Sequence, residues 1–193
     1  MPKGSKRQKT IKSKNRMQIS MPDSLPVLPV KDLVAFPTVM MSLHVSRSPT
    51  IRAIEAALET EKLMFVVMQE GDSENPRSQD LKKIGVVANV VRTLKLPDGR
   101  YKVLLQGIMR AQVMQYRSRK NYLAAKVKPL FNKTAKKFGA KDEVLINRIK
   151  EHLQVLVEYE YLPEEMLLVT EDVSDSAEFA DVVMAHYKLE PAQ

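Results

Sequence analysis

Few side chains in this 193-residue chain have the type and spacing needed for catalysis or metal binding. Cysteine is absent and the three histidines (His44, His152 and His186) are far apart, so no metal site is indicated. The six glycines form no phosphate-binding loop, and no serine lies in a nucleophile motif. The adjacent acids Glu164 and Glu165 begin a predicted helix, where they complement its dipole. We therefore predict a non-enzymatic chain without a cofactor.

The net charge of +8 is distributed unevenly along the chain. Residues 1–20 hold seven Lys or Arg side chains and no acid, which predicts a disordered basic tail that contacts nucleic acid or aids solubility. Residues 100–150 carry 14 basic and 2 acidic side chains, whereas residues 151–193 carry one Lys and 11 acids. We expect the basic middle and the acidic end to attract each other, with a modest dependence on salt.

No apolar run reaches the length that spans a bilayer, so we predict no membrane association. The absence of cysteine fits a reducing compartment, and a secretory signal would need an apolar stretch that the N-terminus lacks. We therefore expect a cytoplasmic protein.

Strand-like patterns dominate residues 23–131. The continuous apolar run KLMFVVMQ (62–69) predicts a strand buried on both faces, and Pro97-Asp98-Gly99 is strong turn chemistry between two alternating segments. Ser48-Pro49 predicts the start of one helix. Gly107 interrupts a long strand as a bulge or a sheet corner would. These patterns predict about six strands and one helix in a small sheet that curls on itself.

The stretch LPVLPVKDLVAFP (25–37) has the aliphatic content of a strand but contains three prolines. Because proline cannot donate to a sheet ladder, we predict that this stretch is an edge strand of an incompletely closed barrel.

Helical spacing of apolar residues follows a polar segment. Residues 132–141 are predicted to be a linker, and residues 142–193 to form a bundle of three helices. Pro163 predicts the second helix start, and Asp175 with Glu178 resembles a capping box for the third. The predicted organisation is a basic tail (1–22), a β subdomain (23–131), a linker and a helical subdomain.

Several motifs in order resemble one family. Four stretches are similar to the N-terminal domain of the ATP-dependent Lon protease. They are LPVLPVKDLVAFP, the helix IRAIEAAL, IGVVANVV leading into LKLPDGRYKVLLQGIMRA, and the final LPEEMLLVTEDVSDSAEFADVVMAHYKL. The family often has Gly where Thr38 stands, Pro at Ser42 and Gly at Ser46, so this chain departs from the pattern in the loop around residues 38–49. The basic tail is outside the resemblance.

The resemblance implies a PUA-like pseudo-barrel followed by a helical bundle. It also implies a non-catalytic domain that recognises unfolded or tagged protein substrates in protein quality control and supports a hexamer. Full-length members continue into an AAA+ ATPase and a Ser–Lys protease, so we expect this chain to be a fragment. Two alternatives stay open: a stand-alone interaction module of the same family, and a PUA-like RNA-binding protein.

Candidate substrate-binding residues lie where strand pairing is expected to be interrupted. They are Phe36, Met40, Met41 and Arg47. Methionine is flexible and polarisable, which suits a surface that binds many partners. Because neighbouring strand residues face opposite sides, one of the two methionines should be exposed. Phe36 is as well explained by a place in the core.

Overall fold

The computed structural model describes residues 9–12, 18–119, 121–131, 139–171, 173 and 175–186. Its strands are β1 (Lys9–Lys12), β2 (Gln18–Met21), β3 (Leu25–Val30), β4 (Met40–Val45), β5 (Leu63–Met68), β6 (Ile84–Lys95), β7 (Tyr101–Arg119) and β8 (Tyr122–Pro129). Its helices are α1 (Ser48–Leu58), α2 (Ala140–Glu158), α3 (Glu165–Glu171) and α4 (Ser176–His186), with a 3-10 turn at Ser78–Asp80. Residues 132–138 of the predicted linker lie outside the described residues.

Six strands form one mixed sheet in the order β4-β7-β6-β5-β3-β8. β7 also pairs with β8, so β7, β6, β5, β3 and β8 make a closed ring, and β4 is attached to β7 alone. Closure depends on the length of β7, whose first part pairs with β4 and whose last part pairs with β8. The predicted mixture of about six strands with a few helices is confirmed.

The proline-containing strand β3 is not an edge strand, which corrects the sequence-based prediction. It lies between β5 and β8. Its pairing with β8 covers only Leu25 and Pro26, and its parallel pairing with β5 begins at Val27. Pro26 therefore has no partner on β5 and Pro29 has none on β8. Each proline occupies a position with a neighbour on one side only, where a missing N–H is tolerated.

β5 is buried on both faces, as its continuous apolar sequence predicted. Met64 and Val66 pack in a cluster with α1, which contributes Ile54. Phe65 and Val67 pack in a second cluster on the opposite face of the strand. Both clusters are built mainly from aliphatic side chains, and Phe65 is fully buried.

The N-terminal tail contains structure that its composition did not predict. β1 and β2 pair as an antiparallel hairpin with Lys9 opposite Met21, whereas we predicted that residues 1–22 are disordered. Ile11 and Ile19 are paired in this register, and β-branched residues favour strands. Met21 is buried in the cluster that contains Phe65, so the hairpin is anchored at its C-terminal end. The other residues up to 17 lie outside the described residues.

The three C-terminal helices share an apolar cluster of Ile146, Leu153, Met166 and Phe179. α4 begins with a side-chain cap, since Asp175 Oδ1 accepts hydrogen bonds from the N–H groups of Ala177 (3.0 Å) and Glu178 (3.2 Å). The helix starts that Glu164 and Asp175 indicated are therefore observed within two residues.

Candidate functional site

A tight backbone clamp fixes the loop that precedes β4. Thr38 N–H donates to the carbonyl of Gly107 (3.0 Å), and Gly107 N–H donates to the carbonyl of Val39 (2.9 Å). A Cβ atom on residue 107 would lie 2.0 Å from the carbonyl oxygen of Phe36, so only glycine allows this approach. Thr38 has φ of 63°, a left-handed conformation that favours glycine. Glycine, which the resemblance implies at this position, would adopt this conformation without strain.

The clamped loop forms one wall of a cleft of about 580 Å³. We call it the Phe36 cleft; its apolar lining comprises Val34, Ala35, Phe36, Val66, Met68, Leu81, Ile84 and Val86. Ile84, at the first position of β6, is 55% exposed, so the cleft offers apolar surface to solvent. A cleft with this lining can hold apolar side chains of another polypeptide.

The polar rim of the Phe36 cleft carries cations whose charge is partly matched by acids. Lys82 pairs with Glu70, and Arg110 pairs with Asp181 of α4. The guanidinium of Arg110 also lies 6.0 Å from the centre of the Phe36 ring, within range of a cation–π interaction. Lys83 is the third cation of the rim. The site therefore combines an apolar floor with a basic rim.

Tyr116 of β7 lies beside this rim. Its hydroxyl is 3.4 Å from the carbonyl oxygen of Lys82, to which it donates. Burial raises the pKa of Tyr116 to about 12. The phenol is therefore neutral throughout the physiological range and can act as a hydrogen-bond donor.

Arg110 and Asp181 join the two halves of the chain. Arg110 Nη1 donates to Asp181 Oδ2 at 2.8 Å, and Nη2 donates to Oδ1. This bidentate pair connects β7 of the closed ring with α4 of the helical half. No local motif marks either residue as a site; the only signal in the sequence is the excess of basic residues in 100–150 and of acids in 151–193.

Arg47, a predicted substrate-binding residue, is half-buried and contacts a buried glutamine. Its Nη1 donates to Oε1 of the buried Gln69 (2.8 Å), whose Nε2 donates to the carbonyls of Gly71 (3.0 Å) and Ser73 (2.6 Å). The guanidinium thus helps to hold the 70–73 loop, and the role of Arg47 in substrate binding stays a prediction. The sequence held no signal for Gln69, whose importance arises from its burial.

The two adjacent methionines of β4 occupy opposite faces, as strand alternation predicted. Met40 is 47% exposed, whereas Met41 is 7% exposed and packs in the cluster with Val66 and Ile54. The proposal of Met41 as a substrate-binding residue is therefore corrected, because its side chain is part of the core. Phe36 is half-buried in the cleft wall, and Met40 stays a candidate.

Met41→Ser is expected to lower the free energy of unfolding by about 2–4 kcal/mol, because it removes core packing and buries a hydroxyl. Met40→Ser is the matched control at the neighbouring position and should change stability by less than about 0.5 kcal/mol. Urea unfolding of both variants tests the assignment. Equal stability of the two variants would contradict the observation that Met41 faces the core and Met40 faces solvent.

A second apolar surface lies between α2 and α4. It is a groove of about 310 Å³ lined by Leu145, Ile146, Ile149, Phe179, Val183 and Met184, among others. Leu145 is 61% exposed. This groove lies on the helical half and offers an alternative place for apolar ligands.

The described residues contain no membrane-spanning or metal-binding arrangement of side chains. No helix in that part of the chain is long and apolar enough to cross a membrane. Within the same residues, no three His, Asp or Glu side chains are grouped as a metal would require. The candidate site in that part of the chain combines an apolar floor with a basic rim.

The chain belongs to the family described as the ATP-dependent protease La (LON) substrate-binding domain, whose profile matches residues 24–193. It is 33% identical over 179 residues to Lon protease 2 of Bdellovibrio bacteriovorus, covering 91% of this chain and 22% of that protein. It is 32% identical over 170 residues to the Lon protease of Escherichia coli K12, covering 87% and 21%. The chain therefore spans about a fifth of the length of these relatives.

Solved structures support the same fold. The N-terminal domain of a Mycobacterium avium complex Lon protease superposes with a TM-score of 0.66 at 20% identity, covering 88% of this chain and 86% of the other. A Lon N-terminal domain protein from Xanthomonas campestris gives a TM-score of 0.55 at 18% identity, covering 84% and 97%. At these identities the likeness concerns the fold alone.

Proposed function

We propose that this domain recognises unfolded or tagged protein segments and that the Phe36 cleft is where their apolar side chains bind. The observation that carries the proposal is the cleft itself, an apolar floor opened to solvent at Ile84 and bordered by a loop that Gly107 holds in place. A pre-organised loop loses little conformational entropy on binding, which favours affinity. The family description as a substrate-binding domain supports the same function.

The parent protein extends this proposal. We propose an ATP-dependent Ser–Lys endopeptidase of the cytoplasm, in which this domain is non-catalytic and contributes to a hexamer. Six copies would bind one client with avidity, so that weak individual contacts suffice. The shared cluster of α2, α3 and α4 supports a helical subdomain that begins near residue 142, and the ring of strands supports a PUA-like pseudo-barrel over residues 23–131.

Ile84→Ser is expected to weaken the binding of an unfolded client about tenfold, because it removes exposed apolar surface from the cleft without opening a core cavity. The measurement is fluorescence anisotropy with labelled, reduced and carboxymethylated α-lactalbumin. Phe36→Ala should act in the same direction and should also loosen the loop. Met114→Ser, which alters an exposed β7 methionine (61%) that does not line the cleft, is the matched control.

A variant in the α2–α4 groove distinguishes the two possible client sites. Unchanged affinity of folded Ile84→Ser and Phe36→Ala variants, together with a loss of affinity in Leu145→Ser, would place the client site in the α2–α4 groove. Circular dichroism and thermal unfolding establish that each variant is folded.

A further inference from the structure

Among the described residues, β4 is the strand of the six-stranded sheet that has a single neighbour. The other five strands each pair on both sides, because β7 and β8 close the ring. β4 pairs with β7 from Met40 to Val45 in one unbroken register, without a bulge. One edge of this strand is therefore open.

The open edge presents alternate main-chain groups. Gly107 N–H donates to the carbonyl of Val39. Because hydrogen-bonded and non-bonded residues alternate along an antiparallel strand, every second residue after Val39 bonds to β7. Met41, Leu43 and Val45 thus face β7 with their N–H and carbonyl groups. The N–H and carbonyl groups of Met40, Ser42 and His44 point away from β7, along the open edge.

This edge lacks the features by which proteins usually prevent strand addition. β4 has the sequence MMSLHV, with no lysine and no proline, and it carries no bulge. Its start is held by the clamp between Thr38 and Gly107, so the strand is ordered before any partner arrives. An ordered edge with free main-chain groups is the feature that β-augmentation domains use.

The charge around the edge indicates which polypeptides fit. β4, β6 and β7 contain no Asp or Glu, and they expose Arg92 and Lys102. Lys102 is paired with His44 in the register, one strand in from the edge. An added strand with acidic side chains on that face would be attracted, and one with basic side chains would be repelled.

We propose that the open edge of β4 binds an extended, neutral or acidic stretch of unfolded polypeptide as an additional β-strand. This inference rests on the proposed function and names how the client main chain is held. The edge lies close to the Phe36 cleft, because only three residues of clamped chain separate Phe36 from Met40, so their Cα atoms are at most about 14 Å apart. A client strand on β4 can therefore continue into the cleft with its apolar side chains.

The first test uses a short synthetic peptide of alternating valine and glutamate, with two analogues N-methylated on one or the other set of alternate amides. Strand addition uses only one set, so one analogue should bind about tenfold more weakly and the other should bind as the parent does. Replacing glutamate with lysine should also weaken binding. Equal binding by both methylated analogues would overturn the proposal.

The second test measures amide hydrogen exchange by NMR in the whole chain. Addition of the valine–glutamate peptide should slow exchange at Met40, Ser42 and His44, while Met41, Leu43 and Val45 are already protected. Ser42→Pro should abolish this protection and the peptide affinity, since it removes an outward N–H; Ser42→Ala is the control. Protection of the same amides without peptide, together with concentration-dependent dimerisation, would identify a second copy as the occupant and overturn the proposal.

The outcomes separate this inference from the proposed function. If unfolded α-lactalbumin binds and remains sensitive to Ile84→Ser, but β4 amides gain no protection, the strand-addition mode is wrong and the cleft assignment stands. If wild-type protein binds no unfolded client, the proposed function itself fails.

Discussion

Gly107→Ala is expected to destabilise the protein by about 3 kcal/mol or more, one of the two largest effects that the structure predicts. The added Cβ would lie 2.0 Å from the carbonyl oxygen of Phe36 and 3.1 Å from Cα of Pro37, so the loop backbone must move away. That movement breaks the hydrogen bonds of Gly107 with Thr38 and Val39. Because the same loop forms a wall of the Phe36 cleft and leads into β4, client binding should fall with stability.

Urea unfolding measures this loss, with Gly99→Ala as the control. Gly99 has φ of 81° in the hairpin turn, but a Cβ added there would have no atom within 4 Å. Its replacement therefore costs only the left-handed strain, about 1–2 kcal/mol. If the two alanine variants were equally stable, steric exclusion at residue 107 would not be the reason for its glycine.

Asp181→Ala is expected to lower the free energy of unfolding by about 2–3 kcal/mol and to loosen the attachment of α4 to the sheet. The carboxylate is nearly buried, with 9% of the side chain exposed, and its removal leaves the Arg110 guanidinium without its partner. The loss is smaller than that of a fully buried pair because the Arg110 side chain is 32% exposed. Proteolysis within residues 132–141 should become faster, since the halves lose this ionic link.

The double variant Arg110→Met with Asp181→Leu separates charge from packing. It should recover much of the stability lost in Asp181→Ala, because neither charge is left unpaired. Arg100→Ala is the matched control, since Arg100 pairs with Asp98 in solvent at 2.6 Å and its removal should leave stability almost unchanged. If Asp181→Ala were as stable and as resistant to protease as the wild type, the Arg110–Asp181 pair would not link the halves.

Salt distinguishes this link from the general attraction that the charge distribution predicted. A partly buried bidentate pair is screened much less than exposed charges, so moderate salt should leave the link intact. The sequence located the opposite charges in 100–150 and 151–193, but it named no pair, because Arg110 and Asp181 are 71 residues apart.

Turns, helix starts and the burial of single strands were predicted correctly from the sequence. Pro97-Asp98-Gly99 forms the predicted turn, with Gly99 at positive φ and Asp98 Oδ1 accepting from Arg100 N–H (3.0 Å). The apolar run of β5 is buried on both faces, and Ser48-Pro49 begins α1. These features depend on the conformational limits of a few adjacent residues, so neighbours in sequence are sufficient to determine them.

The tertiary structure alone decided which strand is at the edge and which side chains meet in the site. The prolines of β3 correctly indicated missing partners, but each partner is missing on one side only, and ring closure by β7 and β8 leaves β4 open instead. The sequence required one of Met40 and Met41 to face out, and packing against α1 determined that Met41 is inside. Strand order, and with it the cleft and the open edge, depends on pairings between distant segments, whose free energies no local pattern contains.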